Sequence, residues 1–209
     1  MIKDYKLYKV GGCVRDDLMG IPTKDIDYAF EFNSIDLNSS QSTDHYYLRM
    51  NEILDKEGFK ILLETPDCFT TKAKFPEGHE YHGLISDFVL CRKEEYLDEL
   101  SRKPTVSIGN IYDDLARRDF TINAIALDEE GRYLDPHGGI KDLLNSKLKC
   151  VISPSVSFRE DPLRLMRALR FSITKELIID SSIEPYLYSY NDFWIKFDTV
   201  VSIERVSLS

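Results

Sequence analysis

The sequence is poor in the residues that build disulfide frameworks and zinc sites. Its 209 residues include four cysteines and four histidines. The cysteines stand far apart with no paired spacing, which excludes a disulfide framework and a cysteine zinc site, so we expect reduced, buried thiols. The histidines offer one loose pair, His79 and His82, in a stretch that we interpret as a solvated turn. Metal chemistry based on cysteine or histidine is therefore not expected.

The sequence also lacks a long apolar run and an excess of positive charge. No stretch approaches the roughly 20 apolar residues that span a bilayer, and no early apolar run follows basic residues, so we expect no membrane association and a cytoplasmic location. The formal net charge is −9, which argues against a protein that coats nucleic acid with a broad basic surface. Arginine is nevertheless concentrated at 117–118 and 159–170, which leaves room for a local basic site.

What is present is enough apolar material for a folded core. With 43% hydrophobic residues, the chain can form one domain, or one domain with a small helical appendage. A strand-rich first part precedes a helical part that starts near residue 157, which indicates an α+β protein with a boundary near residues 153 and 154. Strands are predicted over 5–10, 26–32, 59–64, 70–75 and 83–91, and helices over 14–19, 44–57, 111–116 and 120–127.

Residues 8–30 combine two adjacent glycines, an arginine and two carboxylates. Gly11 and Gly12 suit a tight turn whose backbone amides can approach a phosphate. A helix beginning near Val14 would direct its N-terminus toward the same anion, and Arg15 adds a fixed positive charge. The stretch therefore indicates a phosphate-bearing ligand.

The two carboxylates at the start of the second predicted strand are spaced to act together. Asp25 and Asp27 are two residues apart, and side chains alternate along a strand, so both point to one face. Carboxylates held that close repel each other, and a divalent cation stabilises them; Mg²⁺ is favoured where phosphates are also bound. A bare D-x-D pattern is also common on surface strands without any metal, and by itself it favours that simpler interpretation.

A third acid strengthens the metal interpretation. Asp87 lies in the middle of an apolar predicted strand, where an unpaired carboxylate would cost several kcal/mol or take up a proton. A metal shared with Asp25 and Asp27 would satisfy it. The alternative is a salt bridge to Arg92 or Lys72, because buried charges are usually paired.

A series of motifs in one order resembles a known family. The motifs are G-G-x-V-R-D at 11–16, D-x-D at 25–27, "RRDFTINA" at 117–124, "DPHGG" at 135–139, "EDPLRLMRALRF" at 160–171 and "SIERV" at 202–206. The chain is thereby similar to the class II tRNA nucleotidyltransferases, which are the CCA-adding enzymes and their bacterial poly(A) polymerase relatives in the polymerase-beta nucleotidyltransferase superfamily. The resemblance implies a catalytic head over 1–152, with a mixed or antiparallel sheet flanked by helices, and a small helical neck over 153–209.

The resemblance also implies roles for individual residues. Asp25 and Asp27 match the metal-binding acids, and Asp87 stands where the family has a third acid, so these three are the implied catalytic residues. The glycine turn and its arginine match family positions that contact the triphosphate. The "RRD" motif matches positions that contact the ribose, and the neck residues match positions that contact the base. The implied nucleotide-binding residues are Gly11, Gly12, Arg15, Arg118, Asp119, Asn123, Asp161, Arg164, Arg167 and Arg170.

The neck residues suit base recognition on physical grounds as well. Asp161 supplies acceptors and Arg164 a fork of donors, three residues apart on one helical face, so together they can present a fixed pattern to a base edge. The same periodicity places Arg167 with them and puts Leu165 and Ile173 on an opposite, apolar side.

Simpler interpretations of these residues stay open. Asp161 can be a cap of the helix that begins at Pro162, with the arginines forming a solvated face. Asp119 can cap the predicted helix over 120–127, and Asn123 can be a packing amide.

The implied reaction adds CMP or AMP from CTP or ATP to an RNA 3′ end, without a nucleic-acid template and at a two-metal Mg²⁺ site. The expected substrate is tRNA. Poly(A) addition and A-only or CC-only addition are alternatives within the enzyme class, and a non-catalytic nucleotide- or RNA-binding module is the alternative outside it. The chain ends soon after "SIERV", where related enzymes continue into a helical body and tail. The alternatives are a compact enzyme, a head for which a protein partner or a dimer replaces those parts, and a shortened piece of a longer protein, and the sequence does not separate them.

Overall fold

The computed structural model describes residues 3–23, 25–34, 42–95 and 105–188. In these ranges the chain forms one mixed seven-stranded sheet with flanking helices and two small two-stranded sheets. The predicted α+β class is thereby confirmed. Within the same ranges, no helix is both long enough and apolar enough to cross a bilayer. The motif at 202–206 and the end of the predicted neck lie outside the described residues.

The strands and helices have the following bounds. The strands are β1 (Tyr5–Val10), β2 (Ile26–Phe32), β3 (Lys60–Thr65), β4 (Thr70–Lys74), β5 (Ile85–Leu90), β6 (Arg92–Glu95), β7 (Thr105–Ile108), β8 (Ala126–Leu127), β9 (Tyr133–Leu134), β10 (Lys147–Leu148) and β11 (Ile178–Ile179). The α-helices are α1 (Gly12–Leu18), α2 (Thr43–Lys56), α3 (Ile111–Ala116), α4 (Gly139–Leu144), α5 (Pro154–Glu160), α6 (Leu163–Thr174) and α7 (Glu184–Tyr188), and short 3₁₀ turns occupy Pro66–Cys68 and Thr121–Asn123.

The seven-stranded sheet has the order β3-β4-β5-β2-β1-β8-β9. Its central pair, β2 and β5, is parallel, and the other neighbouring pairs are antiparallel. Parallel neighbours need a crossover connection, and here α2, β3 and β4 lie between them in the chain. Outside this sheet, β6 pairs antiparallel with β7, and β10 pairs parallel with β11.

One register row across the sheet carries three charged residues. Asp27 of β2 lies opposite Asp87 of β5, and Asp87 lies opposite Lys72 of β4. On its other side, Asp27 lies opposite Val10, which ends β1 and is followed by Gly11. Residues that are opposite each other in register present their side chains to the same face. The sheet therefore brings two predicted acids together beside the predicted glycine turn.

The opposite face of the sheet is fixed by aromatic packing under α2. Tyr28 and Phe88 stack across the parallel strands with ring centroids 5.3 Å apart, and Phe30 stacks on Tyr5 at 4.7 Å. Met50 of α2 is fully buried against this layer. Alternation along each strand explains the arrangement, because the residues next to the acids point to the core while the acids point away from it.

A second core joins the end of the predicted head to the predicted neck. Phe120 and Leu148 pack with Phe158, Leu165 and Phe171 of α5 and α6. The pairing of β10 with β11 also crosses the boundary that the sequence predicts, so the two segments share a core. The boundary itself stays a prediction.

The predicted helix over 120–127 is wrong. The segment forms the 3₁₀ turn Thr121–Asn123 and then β8, which pairs with the end of β1. Phe120, Ile122 and Ile125 are all fully buried. A run that is buried on every side has no polar face to reveal its period, so periodicity cannot separate a helix from a strand there.

The predicted faces of α6 are also partly wrong. Arg164 lies on the buried side with Leu165, whereas Ile173 is exposed over 77% of its surface. The buried side includes Arg164 because its guanidinium is held by the backbone and side chains of the elements beneath it, as described below. The apolar residues Leu165, Ala168 and Phe171 make up the rest of the buried side, and hydrogen bonding explains why Arg164 lies among them.

The glycine pair in the predicted linking motif is needed for different reasons. Gly138 precedes α4 with φ of 73°. Gly139 begins α4 and packs against the 3₁₀ turn, and a Cβ there would lie 2.0 Å from the carbonyl oxygen of Thr121. The Asp135 carboxylate secures this junction by accepting from the Gly139 N–H at 2.6 Å and the Ile140 N–H at 3.0 Å. The junction thereby sets the position of the turn that contains Asn123.

Gly139→Ala is expected to lower the free energy of unfolding by about 3 kcal/mol, because the new methyl group overlaps a buried backbone oxygen. Gly138→Ala is the matched control, since it introduces strain of about 1 kcal/mol at a positive φ but meets open space. Chemical denaturation of both variants measures the difference. Equal losses would show that the close approach to Thr121 does not constrain the junction.

Candidate functional site

A cleft of about 540 Å³ lies beside the register row, between the sheet and α6. It brings together every predicted nucleotide-binding residue and one of the predicted acids. Asp25 and Asp87 are not among its lining residues. The lining residues are Gly11, Gly12, Arg15, Asp27, Arg117, Arg118, Asp119, Asn123, Asp161, Leu163, Arg164, Arg167, Arg170 and Phe171.

The predicted acids lie at the edge of this cleft. Asp27 is half-buried in β2, and the exposed Asp25 stands one residue before that strand. Burial raises the pKa of the Asp27 carboxyl, and the nearby charges of Asp87 and Asp25 raise that pKa further, while Arg118 opposes the shift. The charges of Asp25 and Asp87 therefore both act on Asp27.

Asp87 has a partner on the neighbouring strand. Lys72 Nζ lies 2.9 Å from its Oδ1 and donates to its Oδ2 at 3.2 Å. Of the two salt bridges considered as alternatives to a metal, the structure contains this one, because Arg92 pairs with Glu94 at 2.8 Å. The Oδ1 atom of Asp87 is buried and has no well-directed hydrogen bond, so the Lys72 ammonium is its charge partner without a good hydrogen-bond geometry.

The acids fit a divalent cation in their chemistry, although they do not form a closed ligand set. Among the described residues, no three histidine, cysteine, aspartate or glutamate side chains converge as metal ligands. Oδ1 of Asp87 lacks a well-directed hydrogen bond and the pKa of Asp27 is raised, and a cation between the two carboxylates would relieve both features. Hard oxygen donors are also the ligands that Mg²⁺ prefers. Asp25, Asp27 and Asp87 thus remain the candidate metal ligands.

The glycine turn approaches an arginine closely. Gly11 has φ of 73° and precedes α1, and a Cβ on it would lie 3.0 Å from Nη1 of Arg118. Arg15 of α1 is buried and donates to Oδ1 of Asn123 at 2.6 Å. Its guanidinium also pairs with Asp16 at 2.8 Å. The turn and α1 are therefore tied to the segment that follows α3.

Asp114, which the sequence analysis did not single out, organises two arginines of the cleft. Its carboxylate is completely buried and accepts from Arg117 through Oδ1 and from Arg118 through Oδ2, the latter at 2.8 Å. Burial alone would raise the pKa of Asp114, but the two guanidiniums hold that pKa down to about 2. The available signal was its spacing, because Asp114 precedes the arginines by three and four residues in a predicted helix.

Asp119 and Asn123 form the centre of a second network. The Oδ1 atom of Asp119 accepts from the Phe120 N–H at 2.7 Å and from Nδ2 of Asn123 at 2.9 Å, while Oδ2 accepts from Nε of Arg167 at 2.8 Å. Although burial opposes it, Arg167 and Asn123 lower the pKa of the Asp119 carboxyl. Asp119 caps no α-helix here, and Asn123 links two charged groups, since its carbonyl oxygen also accepts from Arg15.

The two residues predicted to recognise a base have intramolecular partners. Oδ1 of Asp161 accepts from the Leu163 N–H at 3.1 Å, which is the capping contact considered as its simpler role. Arg164 donates to the Arg117 carbonyl oxygen at 2.8 Å and to Oγ of Ser157 at 3.1 Å. Both residues line the cleft. A role in reading a base remains a prediction.

One aromatic ring gathers three arginines on the neck side of the cleft. The guanidinium carbons of Arg15, Arg167 and Arg170 lie 5.0, 5.5 and 5.1 Å from the ring centroid of Phe171. Burial and the neighbouring charges of Arg167 and Arg15 lower the pKa of Arg170. Cation–π contacts hold like charges together that would otherwise repel, so this wall of the cleft suits a polyanion. The sequence offered no specific signal for Phe171.

Asp114→Asn is expected to lower the free energy of unfolding at pH 7 by about 3–5 kcal/mol, since it leaves two buried guanidiniums without their anion. The folded pKa of Asp114, about 2, lies below its usual value of 3.8. The stabilisation is therefore complete above pH 4 and is lost as the pH falls toward 2. The stability difference between wild type and variant should shrink by about 2 kcal/mol over that window.

Urea denaturation at several pH values between 7 and 2 measures this dependence. Asp55→Asn removes an exposed carboxylate of α2 and serves as the control, with no comparable change. A pH-independent difference between wild type and Asp114→Asn would contradict the pairing.

Comparisons with known proteins agree with this arrangement. Residues 7–149 match the family model of the poly(A) polymerase head domain. A CCA-adding enzyme of Streptococcus suis is 32% identical over 204 residues, which cover 98% of this chain and 43% of the relative. A second CCA-adding enzyme, from Ligilactobacillus salivarius, is 30% identical over 207 residues, which cover 97% of this chain and 41% of the relative.

Solved structures of CCA-adding enzymes and tRNA nucleotidyltransferases are also similar to this chain. The Bacillus stearothermophilus CCA-adding enzyme in complex with CTP superimposes with a TM-score of 0.73 at 26% identity, covering 98% of this chain and 43% of that one. A tRNA nucleotidyltransferase complexed with a primer tRNA and an incoming ATP analogue superimposes with a TM-score of 0.62 at 32% identity, covering 88% and 46%. The present chain spans less than half the length of these relatives.

Proposed function

Since the chain belongs to the family of class II tRNA nucleotidyltransferases and bacterial poly(A) polymerases, we propose that it transfers CMP or AMP from CTP or ATP to an RNA 3′ end, with tRNA as the acceptor. The observation that carries the proposal is the cleft, in which all the predicted nucleotide-binding residues line one cavity beside Asp27. The relatives that resemble it are named CCA-adding enzymes, and one of them was solved with CTP. Addition or repair of the tRNA CCA end is therefore the favoured form of the reaction.

The triphosphate would lie along the wall of arginines. Arg15, Arg167 and Arg170 surround Phe171 and offer fixed positive charges at the spacing of a polyanion. A Cβ on Gly11 would lie 3.0 Å from Nη1 of Arg118, so glycine lets the turn run directly beside that guanidinium at the edge of the acids. Positioning and charge neutralisation by these groups would supply most of the catalysis, as is usual for phosphoryl transfer.

The acids would serve the reacting centre. Asp25, Asp27 and Asp87 would hold Mg²⁺, which when bound lowers the pKa of an attacking hydroxyl and neutralises triphosphate charge. The 3′-oxygen of the RNA forms a bond to the α-phosphorus. The bond from that phosphorus to the oxygen shared with the β-phosphorus breaks, and pyrophosphate leaves. The hydroxyl proton needs an acceptor, and the Asp87 carboxylate is the candidate once the Lys72 ammonium has moved away from it.

The remaining cleft residues would select the nucleotide. Arg118 and Asp119 would contact the ribose, while Asp161 and Arg164 would read the base edge. Arg164 would have to give up its contact with Ser157 or with the Arg117 carbonyl oxygen in order to donate to a base. Asp161 would accept from a base amino group.

Asp27→Ala is expected to abolish nucleotide addition while the protein stays folded. The protein is incubated with Mg²⁺, labelled CTP or ATP and tRNA lacking its terminal nucleotides, and the products are resolved by length. Because Asp27 is crowded by other acids and its pKa is raised, its removal should leave the melting temperature near pH 7 unchanged or higher.

Asp55→Ala, which removes an exposed carboxylate of α2, is the matched control and should retain full activity. Product length separates CCA addition from poly(A), A-only and CC-only addition. Tight binding of CTP by the wild type without any extension of RNA would instead identify a non-catalytic nucleotide-binding module.

A further inference from the structure

A lysine shares the register row with the catalytic acids. Lys72 of β4 lies directly opposite Asp87, which in turn lies opposite Asp27. All three side chains project from the face of the sheet that α2 does not cover. A positive charge therefore stands at one end of the line of carboxylates, fixed there by strand register.

The contact between Lys72 and Asp87 involves both carboxylate oxygens. The ammonium lies 2.9 Å from Oδ1 and 3.2 Å from Oδ2. Lys72 also acts on Asp27, whose electrostatic surroundings include it as a favourable cation. The lysine thus compensates part of the repulsion within the row.

We propose that Lys72 is an internal counter-cation of Asp87 that a divalent metal must displace, so that Lys72 sets the metal affinity of the site. This inference rests on the proposed function, because that function assigns Asp87 to the metal. A divalent cation bound to Asp87 and an ammonium 3 Å from the same oxygens would repel each other strongly. Asp87 can become a ligand only when the ammonium withdraws.

The position of Lys72 permits that withdrawal. Its side chain is 45% exposed and that of Asp87 is 35% exposed, and the four-carbon stem of lysine can turn toward solvent with the ammonium still hydrated. The absence of a closed ligand set among the described acids fits this view, because Asp87 is directed toward Lys72. Lys72 is a positioning residue by this account, since it acts through Asp87.

The proposal predicts that removal of the Lys72 ammonium has opposite effects on the stability of the metal-free protein and on its affinity for metal. Removing the ammonium should destabilise the metal-free protein, since the carboxylates lose a compensating charge. The same change should tighten metal binding, since a competitor is gone and the local negative charge rises. A lysine with a merely structural role would produce the first effect without the second.

Mn²⁺ titration of the metal-stripped protein, without nucleotide or RNA, tests the inference through isothermal calorimetry or the electron paramagnetic resonance signal of free Mn²⁺. Lys72→Met is expected to bind Mn²⁺ roughly two- to fivefold more tightly than the wild type, the range of a partly exposed ion pair. It should also melt at a lower temperature in chelator and gain more from added Mg²⁺.

Lys74→Met is the matched control. Lys74 lies two residues along β4 on the same face, but it is opposite Ile85 and not an acid. The Lys74→Met substitution removes the same charge from the same strand and should leave the Mn²⁺ affinity at the wild-type value. Lys72→Arg keeps the charge and a bidentate hold on Asp87, so it should bind Mn²⁺ no more tightly than the wild type, and it tests the proposal even where Lys72→Met fails to fold.

Several results would overturn the proposal. Lys72→Met with wild-type or weaker Mn²⁺ affinity would do so, as would Lys72→Arg with tighter binding or an equal gain in Lys74→Met. If the wild type extends RNA and binds Mn²⁺ while Lys72→Met shows no gain, this inference fails and the proposed function stands. If the wild type neither binds Mn²⁺ nor extends RNA, both fail.

Discussion

The parallel pairing of β2 with β5 is the constraint on which the site depends. It brings Asp27 opposite Asp87 although the two residues are 60 positions apart in the chain, and Asp27 in turn lies opposite the end of β1. Two carboxylates in register would repel each other on an isolated pair of strands. The stacked rings of Tyr28 and Phe88 on the other face keep the strands together against that repulsion. Aromatic burial therefore stabilises an arrangement of charge that is unfavourable by itself.

Four cations near the site are arranged by the same principle, since an internal anion holds each of them. Asp114 holds Arg117 and Arg118, Asp119 holds Arg167, and Asp87 holds Lys72. Such pairs add little net stability where they are exposed, but they fix the direction of a side chain. A ligand that binds later then loses less free energy to the ordering of that side chain. The cleft is thus preorganised for a polyanion without carrying a large uncompensated charge.

The parts that sequence reasoning predicted correctly are those with a clear local pattern. The strands over 5–10 and 26–32 match β1 and β2 residue for residue, because alternation and flanking turn residues define them. The glycine turn, the D-x-D acids and the arginines of α6 were identified from composition and motif, and the cleft contains all of these except Asp25. Local chemistry was therefore readable before any tertiary contact was known.

The sequence could not provide two things: the tertiary surroundings of a buried segment and the partner of each charged group. The helix predicted over 120–127 is a turn and a strand because the segment is buried on all sides, which only the tertiary fold decides. Arg164 faces inward because the Arg117 carbonyl oxygen and Ser157 accept from it. Lys72 could be named only as one of two candidates for Asp87, since the register across β4 and β5 depends on the connection over 75–84, whose geometry no local signal fixes.

The acidic composition of the chain is compatible with a basic site for a related reason. A net charge of −9 describes the whole surface, whereas an anion in the cleft interacts with groups within about 10 Å, beyond which salt screens the remaining charges. Within that distance Arg15, Arg167 and Arg170 converge on Phe171, and the acids paired with two of them, Asp16 and Asp119, are already engaged. The local potential is set by where guanidiniums are held, and in this fold two carboxylates and one aromatic ring hold three of them on one wall of the cleft.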